Sequence, residues 1–210
     1  MKLSRFFSGL FLYIALGLML VALFVAMAEP GTSPTLLSPA HEAQALVTEA
    51  MDTLCRGDFS AVEQYLLDNP SLGVDREPED AAGALIWEAF VRSLSYQLSG
   101  DCYATDTGVV QDITLTYLDI PSVTENLSQR SEKYLAQMQE EADHISEIYD
   151  DSGNFRSDVV LKALCFAVQE ALQEDGKLTS STFTLQLVKR EGQWYIIPSS
   201  DFIHAISGGM

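Results

Sequence analysis

The chain has 210 residues, with 12 Lys and Arg against 30 Asp and Glu and a formal net charge of −18 at pH 7. Nucleic acid is excluded as an expected ligand, because phosphate contacts need clustered cations and no stripe of Lys or Arg occurs. Anionic headgroups repel such a body, so flat adsorption to a bilayer is disfavoured and the charge reads first as a source of solubility.

The chain opens with an uncharged run of 23 residues, Phe6 to Ala28, between the basic Lys2 and Arg5 and the acidic Glu29. As a helix it would reach roughly 34 Å, enough for the ~30 Å hydrocarbon core of a bilayer. Both cations precede the run, which keeps the amino terminus in the cytoplasm and sends the remainder outside. Residues 6–28 are therefore expected to engage the membrane. Their length favours a retained single-pass transmembrane helix, whereas Ala26-Met27-Ala28 before Glu29-Pro30 reads as a cleavage site that would release a secreted protein. Gly31 to Pro39 reads as a tether, and residues 40–210 as one extracytoplasmic domain.

Helical spacing of Leu46, Val47, Ala50, Met51 and Leu54 predicts a first helix over Pro39 to Arg56. Gly57 stops it and Asp58 caps a second, which buries Phe59, Val62 and Leu66 before Asn69-Pro70. A third helix starts near Pro78 with Leu85, Ile86, Ala89 and Phe90 facing inward. Strands from Ser95 to Ala104 and from Val109 to Ile120 flank Thr105-Asp106-Thr107-Gly108 and read as a hairpin. Ser122 and Glu125 have capping-box spacing. They predict one long amphipathic helix whose stripe is Leu127, Tyr134, Leu135, Met138, Ala142, Ile145 and Tyr149. Asp150 to Asn154 breaks it, and a further helix carries Val160, Leu161, Leu164, Cys165, Val168 and Leu172 to Gly176. Leu178 to Arg190 and Trp194 to Ile197 form a second hairpin around Glu191-Gly192, and Ser200 to Ile206 gives a last helical turn.

These elements predict an α+β domain with helices on one face of an antiparallel sheet. The segments Leu54-Cys55-Arg56-Gly57-Asp58-Phe59-Ser60-Ala61-Val62 and Val188-Lys189-Arg190-Glu191-Gly192-Gln193-Trp194-Tyr195-Ile196, with the strand pair around Tyr96 and Leu115, resemble bacterial extracytoplasmic members of the nuclear transport factor 2-like superfamily. The resemblance implies a bent antiparallel sheet wrapped around a helix. It also implies a cone-like cavity and a helical insertion between the two hairpins. It sets no activity, because that superfamily includes enzymes, binding modules and assembly domains.

Chemistry-bearing residues are sparse. Cys55, Cys102 and Cys165 lack zinc spacing and read as buried free thiols, with a bridge from Cys102 left open by the oxidising compartment. Arg56-Gly57-Asp58 matches an adhesion tripeptide, yet its glycine and aspartate are explained as a helix stop and a helix start. Asp150 to Asn154 has oxygen ligands around a glycine but fails calcium-loop spacing, since the twelfth position is Leu161. His41, His144 and His204 do not recur at ligand spacing, so no metal and no cofactor are expected. An isomerase of the resembled fold would take its base and oxyanion hole from Asp112, Asp119, Tyr96, Tyr103 or Tyr117, but no motif selects among them. The expectation is a membrane-tethered extracytoplasmic binding or interaction module without catalysis, taking a protein or a small apolar ligand. Trp194, Tyr195 and Phe183 are its candidate contact residues. The alternative is a secreted enzyme using the cone cavity for acid/base chemistry.

Overall fold

In the computed structural model, which describes residues 38–72 and 78–209, helix α1 (Pro39–Cys55) buries Ala43, Val47, Ala50, Met51 and Leu54 along one face. Gly57 ends this turn with φ +79°, and a Cβ there would lie 2.8 Å from Val91 Cγ1, so the stop admits only glycine. Asp58 caps α2 (Phe59–Glu63) by accepting the Ala61 N–H at 3.0 Å. The chain then leaves the helix earlier than its apolar spacing predicts. Ile196 N–H donates to Tyr65 O at 2.8 Å and Leu67 N–H donates to Ile196 O at 2.8 Å, so residues 65–67 bridge to the sheet instead. Helix α3 (Ala81–Ser93) is capped by Asp80, which accepts the Gly83 N–H at 2.8 Å.

Four strands, β1 (Ser95–Thr105), β2 (Gly108–Leu118), β3 (Leu178–Arg190) and β4 (Gln193–Ile197), form one antiparallel sheet in the order β1-β2-β3-β4. Side chains of β2 and β3 alternate in burial along the central part of the sheet. Ile113, Leu115, Leu185, Leu187 and Ile196 point to one face and are almost wholly buried beneath α1, α3 and α7 (Ser200–Ile206). Stacked and tilted rings of Phe59, Trp87 and Phe90 fill the space behind α3, while Phe183 meets Phe202 edge-on at 5.9 Å. The opposite face carries Thr114 against Thr182 at 2.9 Å, Thr116 against Ser180 at 2.8 Å, and Thr184 donating to Asp112 at 2.5 Å. Cross-strand hydroxyl pairs of this kind stabilise a solvated sheet surface.

Between β2 and β3 the chain forms α4 (Ile120–Thr124), α5 (Leu127–Glu141), a single 3-10 turn at Ile145–Glu147 and α6 (Ser157–Glu174). Helix α6 packs on α3 and buries Val159, Ala163, Ala167, Val168 and Ala171, and α5 packs on α6 while burying no residue of its own. The insertion is thus an outer layer.

The expected fold is corrected in three places. Among the described residues no helix is long and apolar enough to cross a membrane, and residues 6–28, where a transmembrane helix was expected, lie outside the described residues. The two hairpins are joined by the full β2–β3 ladder, from Val109 opposite Leu187 to Leu118 opposite Leu178. Side chains of the covering helices fill the inner face where a cone was expected. The long helix is broken twice. Asp119, not Ser122, is the cap, accepting the Ser122 N–H at 3.4 Å and also the Ser122 hydroxyl at 2.6 Å. At the far end Glu140 and Glu141 stand in a last turn that has no basic residue, where the helix dipole opposes them, and Ala142 turns extended at ψ 131°.

Strand β1 is an exposed edge, and a bulge between Ser99 and Tyr103 interrupts its pairing. Gln111, fully buried, pins it. Its Nε2 donates to Ser99 O at 3.4 Å and Gly100 O at 3.3 Å, and its Oε1 accepts the Cys102 thiol at 3.0 Å. Gln111→Leu is expected to lower stability by about 1–3 kcal/mol, because the bulge carbonyls lose their buried donor. Urea unfolding measures this, and an unchanged midpoint would contradict the role given to Gln111.

Candidate functional site

The residues that the sequence offers for acid/base chemistry do not converge. Asp112 lies on the hydroxyl face and Asp119 is committed to capping α4, whereas Tyr117 faces the core and shares a hydrogen bond with Ser181 Oγ at 2.9 Å. Tyr96 donates to Asp52 Oδ1 at 2.7 Å, and burial, reinforced by that carboxylate, pushes its phenol up to about 12. Tyr103 stands exposed on the edge strand. Phe183 is core. Trp194 is also buried, its Nε1 donating to Glu42 Oε2 at 3.2 Å. The same carboxylate accepts from Lys189 Nζ at 2.8 Å, so Trp194 ties β4 to α1; hydrogen bonds from Lys189 and then Trp194 hold the Glu42 carboxyl below its ordinary range.

The remaining sequence candidates have local duties. Arg56 donates to Thr53 Oγ1 at 2.8 Å, and Asp58 is occupied as a cap beside buried Phe59. Asp150 accepts the N–H groups of Ser152 at 2.8 Å and Asn154 at 2.9 Å, closing a tight loop whose base is the stacked pair Tyr149 and Phe155 at 4.8 Å. All three cysteines are free thiols; burial raises Cys55 and Cys102 above the ordinary range, with Asp52 and Asp101 adding to it. Among the described residues no group of three or more His, Cys, Asp and Glu is placed to hold a metal ion.

Two surface sites emerge instead. One is a groove on the outer helical pair. Phe166 of α6, one of seven large apolar side chains exposed among the described residues, lines this groove. Tyr134 and Met138 of α5, only half-buried, line it as well. Adjoining clefts of ≈ 340 and ≈ 320 Å³ share Met138, Glu141 and Lys162. Tyr134 meets Phe166 at 5.5 Å, and Lys162 lies over the Phe166 ring at 5.9 Å. Glu141, Glu147 and Asp158 complete the lining as an acidic rim. The sequence marks both stripes as apolar; Val168 is buried and Leu127 and Leu172 pack against the core, whereas Tyr134, Met138 and Phe166 are left at the surface.

Ion pairs add to partial apolar burial in holding α5 to α6. Arg130 meets Glu174 at 2.9 Å, Asp175 at 2.5 Å and Glu170 at 3.6 Å, and Lys133 meets Glu170 at 3.1 Å. The hydrogen bond from Lys133, with the nearby charges of Lys133 and Arg130, holds the Glu170 carboxyl below its ordinary value.

The other site is a cleft of ≈ 370 Å³ where the β3–β4 hairpin meets the segment after α2, lined by Leu67, Asp68, Asn69, Arg190, Glu191 and Tyr195. Arg190 pairs with Asp68 at 2.9 Å across it. Of the three contact candidates named from the sequence, only Tyr195 reaches a cleft. No protein-family model, curated protein or solved structure matches this chain.

A carboxyl whose folded value is depressed adds stability above its ordinary pKa, and that contribution disappears as pH falls through the depressed value. The attachment of α5 is therefore expected to weaken as pH drops below about 4.5, the ordinary value for Glu170. Amide exchange of residues 127–141 across pH measures it. Glu170→Gln should flatten that acid dependence, and an acid response identical to wild type would contradict the assignment.

Proposed function

We propose that this chain is an extracytoplasmic interaction module, delivered by its apolar leader and either held at the membrane or released after cleavage near Ala28. Its α5–α6 groove docks an apolar helix flanked by Lys or Arg on a partner protein. The observation that carries this reading is the pair of adjoining clefts between α5 and α6, in which Phe166 is exposed and Tyr134 and Met138 are only half-buried, on an otherwise highly charged chain. Apolar side chains left open in a cleft with a charged rim mark interaction surfaces in soluble domains. A groove between two helices suits an amphipathic helix whose anchors recur at i, i+3 and i+7. Glu141, Glu147 and Asp158 line the same groove and, with the net charge of −18, favour a basic flank over an acidic one. Binding is favoured over acid/base catalysis because Asp119 caps α4, and Tyr96 and Tyr117 lie on the helix-covered face of the sheet, apart from Asp112 on the hydroxyl face.

A photo-crosslinking side chain replacing Gln137, which lines the groove, in the full chain expressed in its native membrane tests the proposal. A discrete protein adduct is expected, lost in Phe166→Asp and diminished at about 1 M salt, where the screening length shrinks to roughly 3 Å. Adducts with lipid alone, no adduct, or an adduct indifferent to Phe166→Asp would overturn it.

A further inference from the structure

The cleft beside Tyr195 lies on other elements than the helical groove and has a different chemistry. Asp68, Asn69 and Glu191 have φ of +64°, +44° and +51°, the only non-glycine residues in the left-handed region among the described residues, and all three line this one cleft. Local turns account for each singly: Glu191-Gly192 is the hairpin turn, and Asp68-Asn69 reverses the chain after its bridge to Ile196. Their convergence is not required by either turn, and backbone strain of this sort concentrates where ligands bind.

The lining selects a ligand class. Its polar side chains are two carboxylates, one carboxamide and one guanidinium, all planar groups that present several hydrogen-bonding atoms in a fixed plane. Tyr195 directs its hydroxyl to Gln193 Oε1 at 3.3 Å, back along β4, so that its ring borders the cleft. The Arg190–Asp68 pair has side chains 56% and 74% exposed and is readily reorganised around a guest. A purely apolar ligand would cover these polar groups without offering them hydrogen bonds in exchange for water, and an anion would meet two carboxylates. A ring with hydroxyls at its edge and C–H groups on its face satisfies both halves of the lining. The volume of ≈ 370 Å³ is near the lower end of small-ligand sites.

We propose that this cleft binds one or two units of a neutral saccharide chain, the sugar ring on Tyr195 and its hydroxyls on Asp68, Asn69, Arg190 and Glu191. From Tyr195 the register passes to Val188 and, on the same face, to Gln186 and the Thr184–Asp112 pair, a polar track along which further units can extend.

The full chain in detergent is titrated with tetramers of glucose, mannose and N-acetylglucosamine, and separately with tetralysine, while amide shifts of residues 66–69 and 190–195 are followed. At least one sugar tetramer is expected to shift these amides saturably. Tyr195→Ala and the exposed Arg190→Ala should each weaken that binding by about tenfold, and an unchanged melting curve for Arg190→Ala verifies that the fold persists. Asp68→Asn keeps the hydrogen-bonding plane and tolerates the left-handed backbone, so it should change sugar affinity by less than about threefold. The proposal is overturned if no sugar tetramer shifts the cleft, if Tyr195→Ala and Arg190→Ala leave binding intact, or if tetralysine alone binds and is lost in Asp68→Asn.

Discussion

The alternation of apolar and hydroxyl side chains along β2 and β3 is the constraint from which the rest of this architecture follows. With period 2 in both central strands, the large buried apolar groups of the sheet lie on one side, and α1, α3 and α7 cover that side. The Thr/Ser side needs no cover, because its hydroxyls pair with one another. Once the inner face is full, the insertion between β2 and β3 has nowhere to go but outward. Helix α6 finds the back of α3, and α5 finds mainly α6. An apolar stripe is then left with too few neighbours, and the exposed groove is the result.

Electrostatics separates the two layers as well. The inner layer is held by buried apolar area and by a few polar ties such as Gln111 and the Glu42–Trp194 bond. The outer layer is held by Arg130 and Lys133 against three carboxylates. Arg92, Arg156, Lys189 and Arg190 are likewise engaged with acidic partners inside the domain. Few cations remain to offset the acidic surface, so the field around the groove stays negative and favours a basic partner.

Much of the fold is legible from sequence because its signals are local. Gly57 and Asp58 mark a stop and a start within two residues, the alternation of Phe183, Leu185 and Leu187 fixes the inward face of β3, and Glu191-Gly192 fixes its hairpin. Three features were not legible. The helix predicted through Asn69 yields to the Ile196 bridge, a contact with a strand far along the chain. The stripe that continues through Ala142 and Ile145 is outweighed by the acidic end of α5. Asp119 captures the cap assigned to Ser122, since both residues are competent and only the backbone path decides. The Tyr195 cleft is harder still to foresee: Asp68 and Arg190 are 122 positions apart, although the consecutive Asp68-Asn69 before Pro70 is the kind of pair that tolerates a left-handed turn.

Hydrogen exchange on the full chain, resolved to single amides, addresses most directly the idea of a closed inner core carrying a lightly held, apolar outer helix. Amides of β2 and β3 should open only with global unfolding, whereas those of Leu127–Glu141 should exchange orders of magnitude faster, and faster again when salt screens the Arg130 and Lys133 pairs. Protection of α5 equal to that of β2, unaffected by salt, would mean that the helix belongs to the core, and the surface on which this account rests would not exist.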